Sequence, residues 1–186
     1  MRAMSTRFET SQWVPFPVEL VFAFFANPHN LPHLMPAGLK TRIEDLRLQP
    51  APLRPVAADP ARRFQSVAAG VGTEILISFC PLRLIPQRVS WLARITEFDW
   101  NSHFEDEQVR GPFTVFRHRH GIEAEVRDRE EGTLVSDTVE FGMPWGPIGQ
   151  VGCALVRRRL ESSFAHRQRR LPEILAAAAR QATRRG

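Results

Sequence analysis

At 186 residues and 21.2 kDa the chain has the size of one compact domain, since domains average roughly 150 residues. Its 43 % hydrophobic content supplies a core without staples, which excludes a disordered chain, a collagen-like repeat and a disulfide scaffold; Cys80 and Cys153 alone make no disulfide framework. The net charge of +5 and pI near 10.7 invite a nucleic-acid partner, but of the 25 basic residues only Lys40 is lysine and no aromatics interleave with the arginines, so the excess reads as coding bias and no nucleic-acid partner is expected.

The N-terminus has no apolar run of signal-peptide length, and no stretch reaches the ~20 apolar residues of a membrane span. A cytoplasmic protein without an integral membrane segment is expected. Residues Arg7 to Val14 alternate apolar and polar side chains, which predicts a first strand. Pro17 to Ala26 is nearly all apolar after a proline at a plausible first helical position, and it ends before Asn27-Pro28, so one short buried helix is predicted there. Prolines 28, 32 and 36 cut the next segment into a turn or a second helical turn, and Leu39 to Leu48 resumes a strand-like pattern. Gln49 to Arg63 carries Pro50, Pro52, Pro55 and Pro60 and cannot be a central strand, so it reads as an exposed loop or insertion.

From Gly72 onward the alternation assigns faces. Ile75, Ile77 and Phe79 share one side of Thr73 to Phe79, and Val89, Trp91, Ala93 and Ile95 share one side of Arg88 to Phe98. In Val115 to Arg127, Phe116, His118, His120, Ile122, Ala124 and Val126 lie on one face, with charged residues on the other. Glu130-Glu131-Gly132 is the expected turn, after which Val135, Asp137, Val139 and Phe141 point inward. One dry face and one wet face per strand is the pattern of an antiparallel sheet.

After Pro144-Trp145-Gly146-Pro147 the apolar residues Ile148, Val151, Leu155, Leu160, Phe164, Leu171 and Leu175 recur near helical spacing, predicting a helix of six turns or more across the dry face. Pro172 is expected to kink or restart it. The arginines at 157 to 159, 167, 169, 170, 184 and 185 are assigned to a solvated helix face, with transient contact to an acidic surface as the lesser option. A long helix over a curved sheet leaves a concavity, the natural place for a ligand.

The run Phe104-Glu105-Asp106-Glu107-Gln108-Val109-Arg110-Gly111-Pro112-Phe113, then His118-Arg119-His120, Gly132-Thr133 with Asp137, and Pro144-Trp145-Gly146-Pro147-Ile148-Gly149 resembles a bacterial ligand-binding subfamily whose strands read F-x-D-x-Q-x-x-G-P-F, H-x-H and G-T-x-x-x-D. The order of elements resembles the wider START-related, Bet v 1-like (SRPBCC) superfamily, which includes polyketide cyclase/dehydrase and CoxG-type groups. The resemblance covers most of the chain. It implies an α+β helix-grip fold, in which a curved antiparallel seven-stranded sheet wraps around a long C-terminal helix, with two short helices after the first strand. The superfamily spans lipid transfer, carriage of hydrophobic ligands, sensing and a few cyclases. The proline-rich stretch from Pro50 to Pro60 departs from its pattern.

The same residues can be read without the family. If Arg110 to Phe113 connects a hairpin, pairing Gln108 with Phe116 sets Asp106 opposite His118 and Phe104 opposite His120 on the inward face. A carboxylate beside a buried imidazole either orients a general base or a ligand head, or is an ion pair that fixes register. Asp137 has the same two readings. Two imidazoles at i and i+2 on a strand can also ligate one metal, and Glu125 and Gly132 follow at spacings close to a cupin's first motif. Yet Glu125 has the opposite parity and the third cupin histidine is missing, so no metal and no other cofactor is expected. No nucleophile elbow, phosphate loop or dinucleotide fingerprint is present.

The sequence therefore predicts one domain over residues 1–186, with a proline-rich loop at 50–63 and a frayed tail at 181–186. It is expected to bind a small hydrophobic or amphipathic molecule through Trp91, Phe104, Asp106, Gln108, Phe116, His118, His120, Asp137, Val139, Phe141 and Phe164. If it is an enzyme, a cyclase, dehydratase or hydrolase using His118 or His120 with Asp106 is expected. A monomer or weak homodimer is anticipated.

Overall fold

In the computed structural model, which describes residues 5–59, 62–64, 66–80, 87–144 and 146–183, the predicted alternation becomes seven antiparallel strands in one curved sheet. They are β1 (Thr6–Val14), β2 (Arg42–Arg47), β3 (Glu74–Phe79), β4 (Val89–Asp99), β5 (His103–Arg110), β6 (Val115–Arg127) and β7 (Glu130–Gly142). Strands β2 to β7 lie side by side in chain order, and β1 closes the series by pairing along its whole length with β7. Short helices α1 (Val18–Phe25) and α2 (Leu31–Leu34), with 3₁₀ turns at Pro28–Asn30 and Ala37–Leu39, connect β1 to β2. Helix α3 (Gly146–Thr183) spans 38 residues, about 57 Å at 1.5 Å per residue. The last three residues of the expected frayed tail, 184–186, lie outside the described residues, as does Trp145 of the Pro-Trp-Gly-Pro motif. None of the described helices is long and apolar enough to cross a membrane.

Helix α1 has no polar face toward its C-terminal end, since every residue from Leu20 to Phe25 is buried. It closes one end of the concave side, where Phe22 meets Phe98 and Phe104 edge-on. Around it Ile95, Ile122, Val135, Leu171 and Leu175 form one apolar cluster. A second cluster, Phe8, Phe116, Val139, Phe141 and Phe164, fills the other end. The described part of the proline-rich segment carries none of the named helices or strands, and it is tied down: Arg54 lies over the Trp100 ring at 4.5 Å, and Trp100 Nε1 donates to Pro52 O at 2.8 Å.

Helix α3 corrects the predicted seam. Val151 and Leu155 are 74 % and 60 % exposed, and the side chain of Ile148 lies outside the described residues. The face that meets the sheet runs Cys153, Val156, Leu160, Phe164, Arg167, Leu171, Leu175, at steps of three and four residues throughout. The predicted seam instead needed a five-residue step from Leu155 to Leu160, which no helix face supplies. Pro172 lies inside one continuous helix. Proline cannot donate to the carbonyl four residues earlier, and that carbonyl, Gln168 O, accepts from Gln12 Nε2 at 2.8 Å instead. Gln168 returns a bond from its own Nε2 to Thr10 Oγ1 at 2.9 Å, so the turn that precedes the proline is bonded to β1.

The turn between β6 and β7 also differs from expectation. Glu130-Glu131-Gly132 is strand, and the loop is the two residues Asp128 and Arg129, with φ of 50° and 68°. Gly132 has another role: a Cβ there would meet the Trp13 ring at 2.3 Å, so glycine lets the indole lie on the backbone of β7.

Two stability measurements test these assignments. Arg129→Gly removes the steric penalty of left-handed φ and is expected to stabilise by about 1 kcal/mol in urea denaturation. Gln12→Ala is expected to destabilise by about 1 kcal/mol in the natural chain, and by clearly less in a Pro172→Ala background, where residue 172 regains its own N–H.

Candidate functional site

Pairing of β5, β6 and β7 brings the ionisable side chains together. Asp106 faces His118 and Phe104 faces His120 across β5 and β6, in the register that the Gly111-Pro112 hairpin predicts. Across β6 and β7, His120 faces Asp137 and His118 faces Val139. Asp106, His118, His120 and Asp137 lie on the same face as Phe104 of the first apolar cluster and Val139 of the second, and between them.

The contacts cross diagonally. His118 Nε2 lies 3.0 Å from Asp137 Oδ1, and His120 Nε2 lies 3.4 Å from Asp106 Oδ1. Asp106 thus turns from the imidazole opposite it to the next one along. His120 Nδ1 lies 3.2 Å from Asp137 Oδ1, an ion-pair distance without hydrogen-bond geometry. The two imidazoles sit 3.8 Å apart, and His120 is sandwiched from behind by Phe104, stacked at 4.3 Å.

Asp137 is fully enclosed, and Arg167 from α3 grips both its oxygens, Nη1 at 3.0 Å from Oδ1 and Nη2 on Oδ2. This corrects the assignment of Arg167 to a solvated face. It sits three residues after Phe164 and four before Leu171, on the buried seam, with its guanidinium 4.5 Å from the Phe164 ring centroid. Burial opposes ionisation of Asp137, yet the Arg167 charge, the hydrogen bonds from His118 and Arg167 and the close approach of His120 hold its carboxyl well below the ordinary value. Burial, assisted by the neighbouring His120, pushes His118 down against the pull of Asp137. Burial disfavours charge on His120 too, but its two carboxylate partners outweigh that and raise it.

The remaining predicted residues separate into groups. Gln108 is used by its own hairpin: Nε2 donates to Phe113 O at 2.8 Å and Oε1 accepts from Phe113 N at 3.3 Å. Trp91, Phe116, Phe141, Val139 and Phe164 lie in or against the second apolar cluster, and Trp91 packs edge-on to Phe116 at 4.2 Å. The Trp91 Nε1 donor is enclosed without a partner. Glu125, of the cupin-like spacing, accepts from Arg127 Nε at 2.8 Å, away from the histidines. One donor atom from each of Asp106, His118 and His120 lies within 4.8 Å of the other two, close enough for one cation. Arg167 completes the site, and sequence reasoning missed it; the signal was its position between Phe164 and Leu171.

No protein-family model matches the chain, and no curated protein matches it in sequence. Solved structures do match in shape. A protein from Thermus thermophilus, TTHA0849, has a TM-score of 0.55 at 18 % identity over 93 % of this chain and 99 % of its own. Norcoclaurine synthase from Thalictrum flavum, in complex with dopamine and hydroxybenzaldehyde, has a TM-score of 0.56 at 14 % identity over 91 % and 87 %. Ara h 8.0201 gives 0.53 at 13 % identity over 89 % and 96 %. Such identities carry the fold: this chain has the Bet v 1-like helix-grip architecture.

Removing one partner of a buried ion pair costs about 3–5 kcal/mol, so Asp137→Asn is expected to lose that much stability at neutral pH. Because the folded-state value of Asp137 is depressed, its contribution is complete above the ordinary carboxylate value of 3.8 and drains as the pH falls through the folded one. Urea denaturation across the acid range is therefore expected to show the natural chain and Asp137→Asn converging as pH falls; parallel curves would contradict the assignment.

Proposed function

We propose that the chain binds a small amphipathic organic molecule between the concave face of the sheet and α3. The polar end of the guest meets Asp106, His118 and His120, and its body meets Trp91, Phe116 and Phe164. One observation carries this reading. The side chains of Asp106, His118 and His120 keep 16 %, 15 % and 13 % exposure although they face the helix, while Asp137 beside them keeps none. Solvent-sized space therefore reaches these three groups and stops at the fourth. The enclosed, unpartnered Trp91 Nε1 supports the reading, since a buried donor without an acceptor gains from a guest that brings one. The solved complex of norcoclaurine synthase with dopamine and hydroxybenzaldehyde supports it as well: the same fold there holds small aromatic molecules.

A second reading makes the same site an acid–base centre. Two imidazoles 3.8 Å apart, each held by a different carboxylate, place a proton acceptor beside a proton donor. A cyclisation or dehydration, in which one proton leaves a carbon and another reaches an oxygen, uses such a pair.

Native mass spectrometry of the purified protein is expected to show an organic adduct. Titration with anilinonaphthalene sulfonate is expected to saturate at one dye per chain, with His118→Ala weakening it about tenfold, or ~1.4 kcal/mol. Absence of both an adduct and saturable dye binding in the folded protein would sink the ligand reading. Retained binding with lost turnover in His118→Ala would select the acid–base reading, once a substrate is known.

A further inference from the structure

We propose that Asp106, His118 and His120 hold a first-row divalent transition metal ion, with one carboxylate and two imidazoles on one side of the ion and the remaining positions open. These three donors suffice for it, whether or not an organic guest is bound.

The donor distances already approach those of a metal site. The three donor atoms lie within 4.8 Å of one another, and Asp106 Oδ1 to His120 Nε2 is 3.4 Å. Ligands on one tetrahedral ion with bonds of about 2.1 Å sit about 3.4 Å apart, so this pair already has the edge length of a metal polyhedron. The donors rest on adjacent strands, β5 and β6, whose pairing fixes their backbone positions. Side-chain rotation alone has to close the rest.

Both carboxylate contacts of His120, moreover, are long or poorly aligned. Its contact to Asp106 is long for a charge-assisted hydrogen bond, and its enclosed Nδ1 makes no hydrogen bond of proper geometry. A proton shared between two carboxylates should draw both contacts short. An ion seated between Nε2 and the Asp106 carboxylate would satisfy that nitrogen without requiring the ring to approach either partner.

Asp137 supplies the support behind the donors. It touches both rings from one side, His118 through Nε2 and His120 through Nδ1. For His120 this leaves Nε2, the nitrogen directed at Asp106, for the ion. A carboxylate behind a metal-bound imidazole is a recurrent support that fixes ring orientation and raises donor strength. Arg167 occupies both oxygens of Asp137, which keeps that carboxylate in the supporting position and out of the ion's own shell. The donor set of nitrogen and oxygen, with no thiolate, suits zinc, cobalt, manganese or iron(II) better than copper(I) or calcium. Three protein donors leave room for a water or for an oxygen atom of a guest.

The test uses the full chain after dialysis against a chelator, titrated with Co²⁺ and followed by visible d–d absorption and calorimetry. Expected are one Co²⁺ per chain, displacement by Zn²⁺, at least tenfold weaker binding in Asp106→Asn, and loss of stoichiometric binding in His118→Ala/His120→Ala. Circular dichroism checks that each variant is folded, and Asp106→Asn keeps the shape of the side chain should the double variant unfold. A control variant, His29→Ala/His33→Ala, removes an exposed histidine pair elsewhere and is expected to bind as the natural chain does. No saturable binding to the folded natural chain, or binding that follows His29 and His33, would overturn the proposal. Dye binding and the organic adduct are read separately, so either proposal can fail alone.

Discussion

A carboxylate with no access to solvent must have its charge answered by neighbours, and Asp137 is answered from two directions at once. His118 and His120 reach it from the adjacent strand, and Arg167 reaches it from α3. Stripping water from such an ion costs several kcal/mol, so arrangements that leave it unpaired are strongly disfavoured. A one-residue slip of β6 against β7 would move both histidines to the convex face and strand the charge. A rotation of α3 by one residue would withdraw Arg167. The same ion therefore selects the strand register and the angular setting of the helix, which apolar packing by Phe, Leu and Val specifies less sharply.

The rest of the interior is organised around that polar band. On one side α1 contributes Phe22 and Phe25 to a cluster with Ile122, Leu171 and Leu175; on the other, Phe8, Phe116 and Phe141 close around Phe164. Helix α3 joins the two clusters, apolar at Phe164 and Leu171 and ionic at Arg167 between them. Its proline does not detach it from the sheet, because Gln12 takes the carbonyl that Pro172 leaves empty. Placing the proline where β1 can reach the freed carbonyl ties the helix to the sheet at that point.

Much of this was legible in the sequence, and for one reason. Strand side chains alternate strictly, so His118, His120, Ile122, Asp137 and Val139 declare a common face by parity alone, and Gly111-Pro112 places the hairpin that brings Asp106 across from His118. What alternation does not determine is the direction in which a side chain leans within its face. Hence the crossing of Asp106 to His120 and of His118 to Asp137 emerged only in three dimensions. Arg167 was hidden by its surroundings: among arginines at 157 to 159, 167, 169 and 170, an inward one has no compositional mark. Apolar Val151 and Leu155 drew the seam to the wrong side of the first turns, although the five-residue step to Leu160 betrayed it. The Asp128-Arg129 turn lacks the glycine that usually marks two left-handed residues, while Gly132, which looked like the turn, serves the Trp13 ring.

A core this size could have been sealed with leucine and phenylalanine throughout, and by area burial alone that would be the more stable solution. Asp137 with Arg167 explains the specificity of register, but it does not explain Asp106, His118 and His120 keeping partial exposure on the face that the helix covers. Two histidines are not needed to answer one carboxylate already gripped by a guanidinium at both oxygens, and a second carboxylate brings another charge requiring compensation. The ionic groups therefore exceed what the fold requires, and the excess is concentrated where space reaches the interior. That surplus is what the proposed guest or the proposed ion would answer.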